Sequence, residues 1–120
     1  MKILIADDSR VMRQIVTRTL RQAGYDGHHL VEACDGREAF DKAVEEKPDL
    51  VLSDWNMPHM TGIEVLRRLR ANGLKVPFGF VTSEGTDEMR KTAADAGALF
   101  LVTKPFTADT FRDALDIILG

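Results

Sequence analysis

Apolar residues in this chain come in two alternating arrangements: short unbroken runs, and longer stretches where they recur every three or four positions. Residues 2–6 follow Lys2 with an unbroken Ile-Leu-Ile-Ala run, as expected of a strand covered on both faces. Val11, Met12, Ile15, Val16, Leu20 and Ala23 then recur at helical spacing, and Gly24 supplies a stop. A weaker strand is predicted over 29–34. Asp35 with Glu38 three residues later resembles a capping box, ahead of an apolar face of Ala39, Phe40, Ala43 and Val44. Pro48 closes that helix, and 49–54 reads as a third strand.

Thr61 with Glu64 repeats the capping pattern before Ile63, Val65, Leu66 and Leu69, and Asn72-Gly73 ends this helix. A fourth strand is predicted over 76–82. Residues 86–96 form a weakly amphipathic helix whose apolar stripe is Met89, Ala93 and Ala96. A fifth strand follows over 99–103, and Thr107 caps a last helix through Phe111, Leu115, Ile118 and Leu119. Five strands alternating with five helices predict parallel, right-handed β-α-β units, hence an α/β fold with a doubly wound five-stranded parallel sheet. No repeat, linker or low-complexity stretch interrupts the pattern, so residues 1–120 are expected to form one domain with no output domain attached.

Composition narrows the partners. The formal net charge of −3 argues against nucleic acid, which requires a basic face. No apolar run approaches the roughly 20 residues of a membrane span. The N-terminus enters a strand directly, without a secretory signal, so a cytoplasmic location is expected. Cys34 has no second cysteine to pair with and is expected to be a small packing residue. The short basic run of Arg67, Arg68 and Arg70 reads as a solvated helix face.

The chemistry-bearing residues fall where strands give way to loops. Asp7 and Asp8 follow the first strand, Asp54 the third, Thr82 the fourth and Lys104 the fifth. In an open parallel sheet those carboxyl ends lie side by side, where such folds place ligand sites. Three carboxylates suit Mg²⁺, which takes oxygen ligands and also keeps crowded carboxylates ionised. With the charge compensated, one carboxylate can attack phosphorus, while an ammonium and a hydroxyl serve the phosphoryl oxygens. Each residue alone has a plainer explanation. Asp8 or Ser9 would cap the first helix, Asp54 would form a turn, and Lys104 would be a loop lysine. Complementary chemistry at four strand ends outweighs those separate readings.

Taken together, Asp7-Asp8, the S-D-W-N-M-P run from Ser53 to Pro58, V-T-S-E at 81–84 and K-P-F at 104–106 resemble the receiver domain of two-component response regulators. The resemblance spans the whole chain, and the S-D-W-N-M-P and K-P-F-T-A segments are especially similar to stand-alone chemotaxis members. It implies the flavodoxin-like, CheY-like strand order 2-1-3-4-5. It also implies Asp54 as phosphoacceptor from a sensor histidine kinase, with Thr82 and Lys104 sensing the phosphoryl group. Asp8 and Asp54 become direct Mg²⁺ ligands, Asp7 acts through water, and the backbone carbonyl of Asn56 is a further ligand. Asn56 and Glu84 occupy positions that influence phosphoaspartate lifetime, and a small Ser83 keeps the phosphoryl pocket open. Trp55 should report on site occupancy, and the bond before Pro105 is implied to be cis. Leu101 stands where receivers usually carry a switch aromatic, and Thr61 where they usually carry an aspartate.

By the same resemblance, output is expected through contact with a downstream target protein. The flagellar motor switch is one candidate, although Asp87, Arg90 and Leu101 depart from the residues that motor-binding members present. The chain is expected to be a monomer that catalyses only its own phosphorylation and dephosphorylation, and so is not an enzyme with a metabolic substrate. A phosphorelay intermediate or phosphate sink is the alternative within the family. Outside it stand an aspartyl-phosphate hydrolase, disfavoured by Asn56 in place of an acid/base aspartate, and a flavodoxin-like cofactor binder. The latter is disfavoured by Asp7 and Asp8 where a phosphate loop would lie.

Overall fold

A computed structural model of the chain describes residues 1–25 and 28–119. The strands are β1 (Lys2–Ala6), β2 (His29–Ala33), β3 (Leu50–Ser53), β4 (Phe78–Thr82) and β5 (Phe100–Thr103). The helices are α1 (Arg10–Gln22), α2 (Gly36–Glu46), α3 (Gly62–Ala71), α4 (Asp87–Ala96) and α5 (Ala108–Leu119). The strands pair in parallel in the order β2-β1-β3-β4-β5, the doubly wound sheet expected from the sequence.

Alternation along each strand divides the core into two layers. Ile3, Ile5, Leu50, Leu52 and Val81 pack with Val16 and Leu20 of α1 and Phe111 and Leu115 of α5. Leu4, Ala6, Val51, Phe78, Phe80 and Leu101 pack on the opposite face with Ala39, Ala43, Ile63, Leu66 and Ala93 from α2, α3 and α4. Strands covered on both faces explain the unbroken apolar runs. Among the described residues no helix is long and apolar enough to cross a membrane.

The helix starts follow the capping chemistry. The side chains of Ser9, Asp35, Thr61 and Thr86 each accept from the backbone N–H three residues on, satisfying donors the first turn leaves free. Thr107 does the same for Thr110 at 3.2 Å.

Four expectations are corrected. β4 begins at Phe78 instead of Val76, because Pro77 has no N–H to donate to a ladder and the Val76 carbonyl is taken by Arg70. Val11 is 63% exposed and Ile15 is exposed as well, since α1 buries a narrower stripe of Val16, Thr19, Leu20 and Ala23. Cys34 lies past the end of β2 and is exposed, so it is not a core packing residue. Arg70 leaves the solvated face entirely and becomes a partly buried clasp: its guanidinium donates to the carbonyls of Leu74 (2.9 Å), Val76 (2.8 Å) and Gly97 (3.3 Å).

Candidate functional site

Backbone hydrogen bonds continue past the strand ends and fix each site residue in place. Asp7 N–H donates to the carbonyl of Ala33 (3.1 Å), Asp54 N–H to that of Ala6 (2.9 Å) and Lys104 N–H to that of Thr82 (2.8 Å). Each of the three is thereby anchored to the last residue of a neighbouring strand: Asp7 to β2, Asp54 to β1 and Lys104 to β4. Asp7, Asp8 and Asp54 then each offer a carboxylate oxygen, all within 4.8 Å of one another. Asp7 is buried at 3% exposure, Asp54 is partly buried and Asp8 is open to solvent. Ser9 caps α1, so Asp8 is not consumed by that structural role.

Both carboxylate oxygens of Asp7 and of Asp54 already have protein partners. Asp7 Oδ1 accepts from Ser9 N–H (2.9 Å) and Asp54 Oδ1 from Trp55 N–H (2.7 Å). Their Oδ2 atoms share the Lys104 ammonium, at 3.1 Å from Asp7 and 3.5 Å from Asp54. Arg13 reaches from α1 to the backbone carbonyl of Asp7 (2.6 Å) while its Nε donates to Glu32 (2.9 Å), which holds the Asp7 loop against β2. The sequence pattern alone gave no sign of that tie.

Burial raises the Asp54 pKa above its ordinary value of 3.8; the Lys104 ammonium opposes that rise and the Asp7 carboxylate adds to it. A raised folded-state pKa means that the folded chain holds the proton to higher pH than the unfolded chain. The stability this contributes is present below the ordinary carboxylate range and is lost as pH rises through the raised value. In metal-free buffer at neutral pH, Asp54→Asn is therefore expected to raise the melting midpoint by roughly 2–6 °C. The advantage should shrink toward pH 4, and added Mg²⁺ should raise the wild type toward the variant. Thermal melts across pH with and without Mg²⁺ check this, and a variant melting below wild type at neutral pH would contradict it.

The loop between β3 and α3 has no slack. Gly62 N–H donates to the Trp55 carbonyl (2.7 Å), and a Cβ at Gly62 would lie 2.1 Å from the Asp54 carbonyl oxygen. Gly36, opening α2, lies so close that a Cβ there would meet the Met60 carbonyl oxygen at 1.8 Å. The Trp55 ring packs on Phe80, with centroids 4.8 Å apart. Beside the carboxylates is a cleft of about 310 Å³ lined by Asp8, Asn56, Met57, Pro58 and Thr61.

Thr82 is fully buried at the end of β4, and its Oγ1 has no hydrogen-bond partner. A buried hydroxyl left unpaired is costly and calls for a ligand atom. Ser83 and Glu84 are exposed in the loop that follows. Leu101 is 8% exposed and packs in the α4 layer, while the adjacent Phe100 turns to the α1–α5 layer, as strand alternation requires. The Lys104–Pro105 peptide is cis. The residues expected to form the site therefore lie on the carboxyl edge or in its loops, apart from Leu101, which sits two positions back from the end of β5.

The profile of the family described as "Response regulator receiver domain" matches residues 3–116. The chemotaxis protein CheY1 of Helicobacter pylori (strain J99 / ATCC 700824) is 35% identical, with 100% of this chain aligned to 98% of the relative. The CheY homolog of Campylobacter jejuni (strain 81-176) is 37% identical, with 100% of this chain aligned to 93% of that protein. Among solved structures, chemotaxis protein CheY4 of Vibrio cholerae superposes with a TM-score of 0.84 at 37% identity, covering 98% of this chain and 97% of that one. The receiver domain of the putative response regulator NarL of Mycobacterium tuberculosis gives 0.87 at 27% identity, over 99% and 96% of the two chains.

Proposed function

Because the chain belongs to the response regulator receiver family, we propose that it is a cytoplasmic, monomeric regulator switched by phosphorylation of Asp54. Its donor would be the phosphohistidine of a sensor histidine kinase, and its output a changed protein-binding surface. The names of its CheY relatives support a place in chemotaxis-type signalling. One observation carries the reading: three carboxylates offer oxygens within 4.8 Å of one another, and the Lys104 ammonium pairs with only two of them, Asp7 and Asp54. That imbalance leaves the cluster short of positive charge, and oxygen donors of this kind fit Mg²⁺.

Asp7, Asp8, Asp54 and the Asn56 carbonyl would hold the ion, which when bound neutralises the carboxylates and a phosphoryl oxygen. The chain's own groups do the rest. An Asp54 carboxylate oxygen attacks phosphorus in line, the P–N bond breaks, and its electron pair returns to the imidazole nitrogen, which takes up a proton. Lys104 exchanges its carboxylate partners for one phosphoryl oxygen, and the unpaired Thr82 hydroxyl donates to another. Reversal to the resting state is attack by water on phosphorus, with cleavage of the P–O bond to Asp54 and release of inorganic phosphate. Asn56 and Glu84, both exposed in the flanking loops, would influence that water. The activity is confined to the protein's own aspartate.

Incubation with Mg²⁺ and acetyl phosphate, followed by intact mass, tests this directly. Wild type should gain one phosphoryl group, and Asp54→Asn or Mg²⁺-free samples none. Trp55 fluorescence should change with Mg²⁺ and again with the phosphodonor, because its backbone N–H donates to the reacting carboxylate and so ties the residue to it. No adduct and a silent tryptophan would remove the phosphoacceptor reading.

A further inference from the structure

Arg90 lies in the first turn of α4 and is exposed, yet its guanidinium is engaged by two backbone carbonyls. Nη1 donates to the carbonyl of Leu101 in β5 (3.0 Å) and Nε to the carbonyl of Gly85 in the β4–α4 loop (3.3 Å). Among the described residues this is the polar bridge between residues 83–86 and β5. The contact surface beneath it is tight. A Cβ on Gly85 would meet Thr103 Cγ2 at 2.4 Å, Arg90 Nη2 at 3.0 Å and Leu101 Cδ2 at 3.4 Å, so the loop lies flat on the strand. Three residues before Gly85 is Thr82, whose buried hydroxyl has no partner. A ligand that engages this hydroxyl pulls on a short segment whose far end is held by Arg90.

Leu101 offers no ring to follow that movement. Its side chain is packed into the α4 layer with Ala93, and Phe100 faces the other side of the sheet. The carbonyl of Leu101, by contrast, is grasped from α4. A guanidinium with two carbonyl acceptors has two discrete arrangements, bridged or released, which is what a coupling element requires.

We propose that Arg90 is the positioning residue of the switch: its bridge from Gly85 to Leu101 holds the β4–α4 loop in the resting position, and engagement of Thr82 by the phosphoryl group releases it, freeing α4 from β5. This rests on Asp54 being the phosphoacceptor. The bridge opposes the phosphorylated state, so its loss favours that state.

The test combines hydrogen exchange with phosphorylation kinetics on wild type, Arg90→Ala, Arg90→Lys and Asp54→Asn. In wild type, Mg²⁺ and acetyl phosphate should speed amide exchange in segments covering 83–101, and Asp54→Asn should show no such change. Unphosphorylated Arg90→Ala should already exchange at the faster rate in those segments alone, and its phosphorylation by acetyl phosphate should be roughly 3–10-fold faster, the scale of a lost charge-assisted hydrogen bond. Arg90→Lys keeps the charge but cannot bridge two carbonyls, and should follow the alanine variant. If wild type gains no phosphoryl group, the phosphoacceptor reading fails and the latch falls with it. If it does gain one, but Arg90→Ala exchanges like wild type at rest or loosens α1 and α2 equally, the latch alone is overturned.

Discussion

Replacement of Lys104 by alanine is expected to slow phosphorylation of Asp54 by acetyl phosphate by roughly 10²–10³-fold while tightening Mg²⁺ binding. The two effects have one origin. At rest the ammonium lies 3.1 Å from Asp7 Oδ2 and 3.5 Å from Asp54 Oδ2, on the carboxylates proposed to hold the ion. It therefore competes electrostatically with any cation there, and its removal should lower the Mg²⁺ dissociation constant about tenfold or more, since an ammonium and a divalent cation roughly 5 Å apart repel by about 1.7 kcal/mol even at the dielectric of water. During transfer the same ammonium is proposed to turn to a phosphoryl oxygen as charge develops, and losing one such preorganised donor commonly costs about 10²–10³ in rate. A merely damaged protein would lose both properties. Mg²⁺ titration followed by Trp55 fluorescence, beside single-turnover phosphorylation read by intact mass, separates the cases. Weakened metal binding together with an unchanged rate would refute the assignment of Lys104 to the phosphoryl group. Lys104→Arg should recover the lower metal affinity but little of the rate, since a planar guanidinium does not place its charge where an ammonium does.

The fold was readable because its physics is local and repetitive. Strands buried on both faces must be uniformly apolar, as Ile3–Ala6 and Leu50–Leu52 are. Helix starts need a side-chain acceptor, which Ser9, Asp35, Thr61 and Thr86 supply. The candidate site was readable for a related reason: a parallel sheet brings all its carboxyl ends to one edge, so Asp7, Asp54, Thr82 and Lys104 are neighbours once the strands are known. Where sequence reasoning failed, long side chains decide the outcome. Arginine has a stem that can lie along apolar surface and a head that can seek carbonyls many residues away. Nothing in the spacing of Arg13, Arg70 or Arg90 distinguishes them from the exposed Arg67 and Arg68. Apart from the Glu32 carboxylate that Arg13 also meets, their acceptors are backbone groups, which every residue carries and no motif marks. The glycines are a partial exception. Gly36, Gly62 and Gly85 each stand where a Cβ would strike another segment, but the segment struck is known only from the tertiary structure.

The clasp formed by Arg70 carries the largest stability effect expected outside the apolar core. Its guanidinium joins the end of α3 to the approach to β4, through Leu74 and Val76, and to the turn after α4, through Gly97. Gly97 adopts φ 103°, and a Cβ there would crowd Arg70 Nε at 3.1 Å, so the turn is shaped around the arginine. Burial lowers the guanidinium pKa from its ordinary value but leaves it charged at neutral pH. Arg70→Ala would strand three carbonyl oxygens and open the space its stem fills. A loss of about 2–4 kcal/mol is expected, or roughly 8–15 °C in Tm for a domain of this size. Arg70→Lys keeps the charge but cannot fork to three acceptors, and should recover less than half of that loss. Phosphorylation of Asp54 should proceed at close to the wild-type rate in both variants, because the clasp lies at the opposite end of β4 from Thr82. Urea unfolding gives the stability change, and intact mass gives the rate. A loss below about 1 kcal/mol for Arg70→Ala would return this residue to the solvated face that its neighbours occupy.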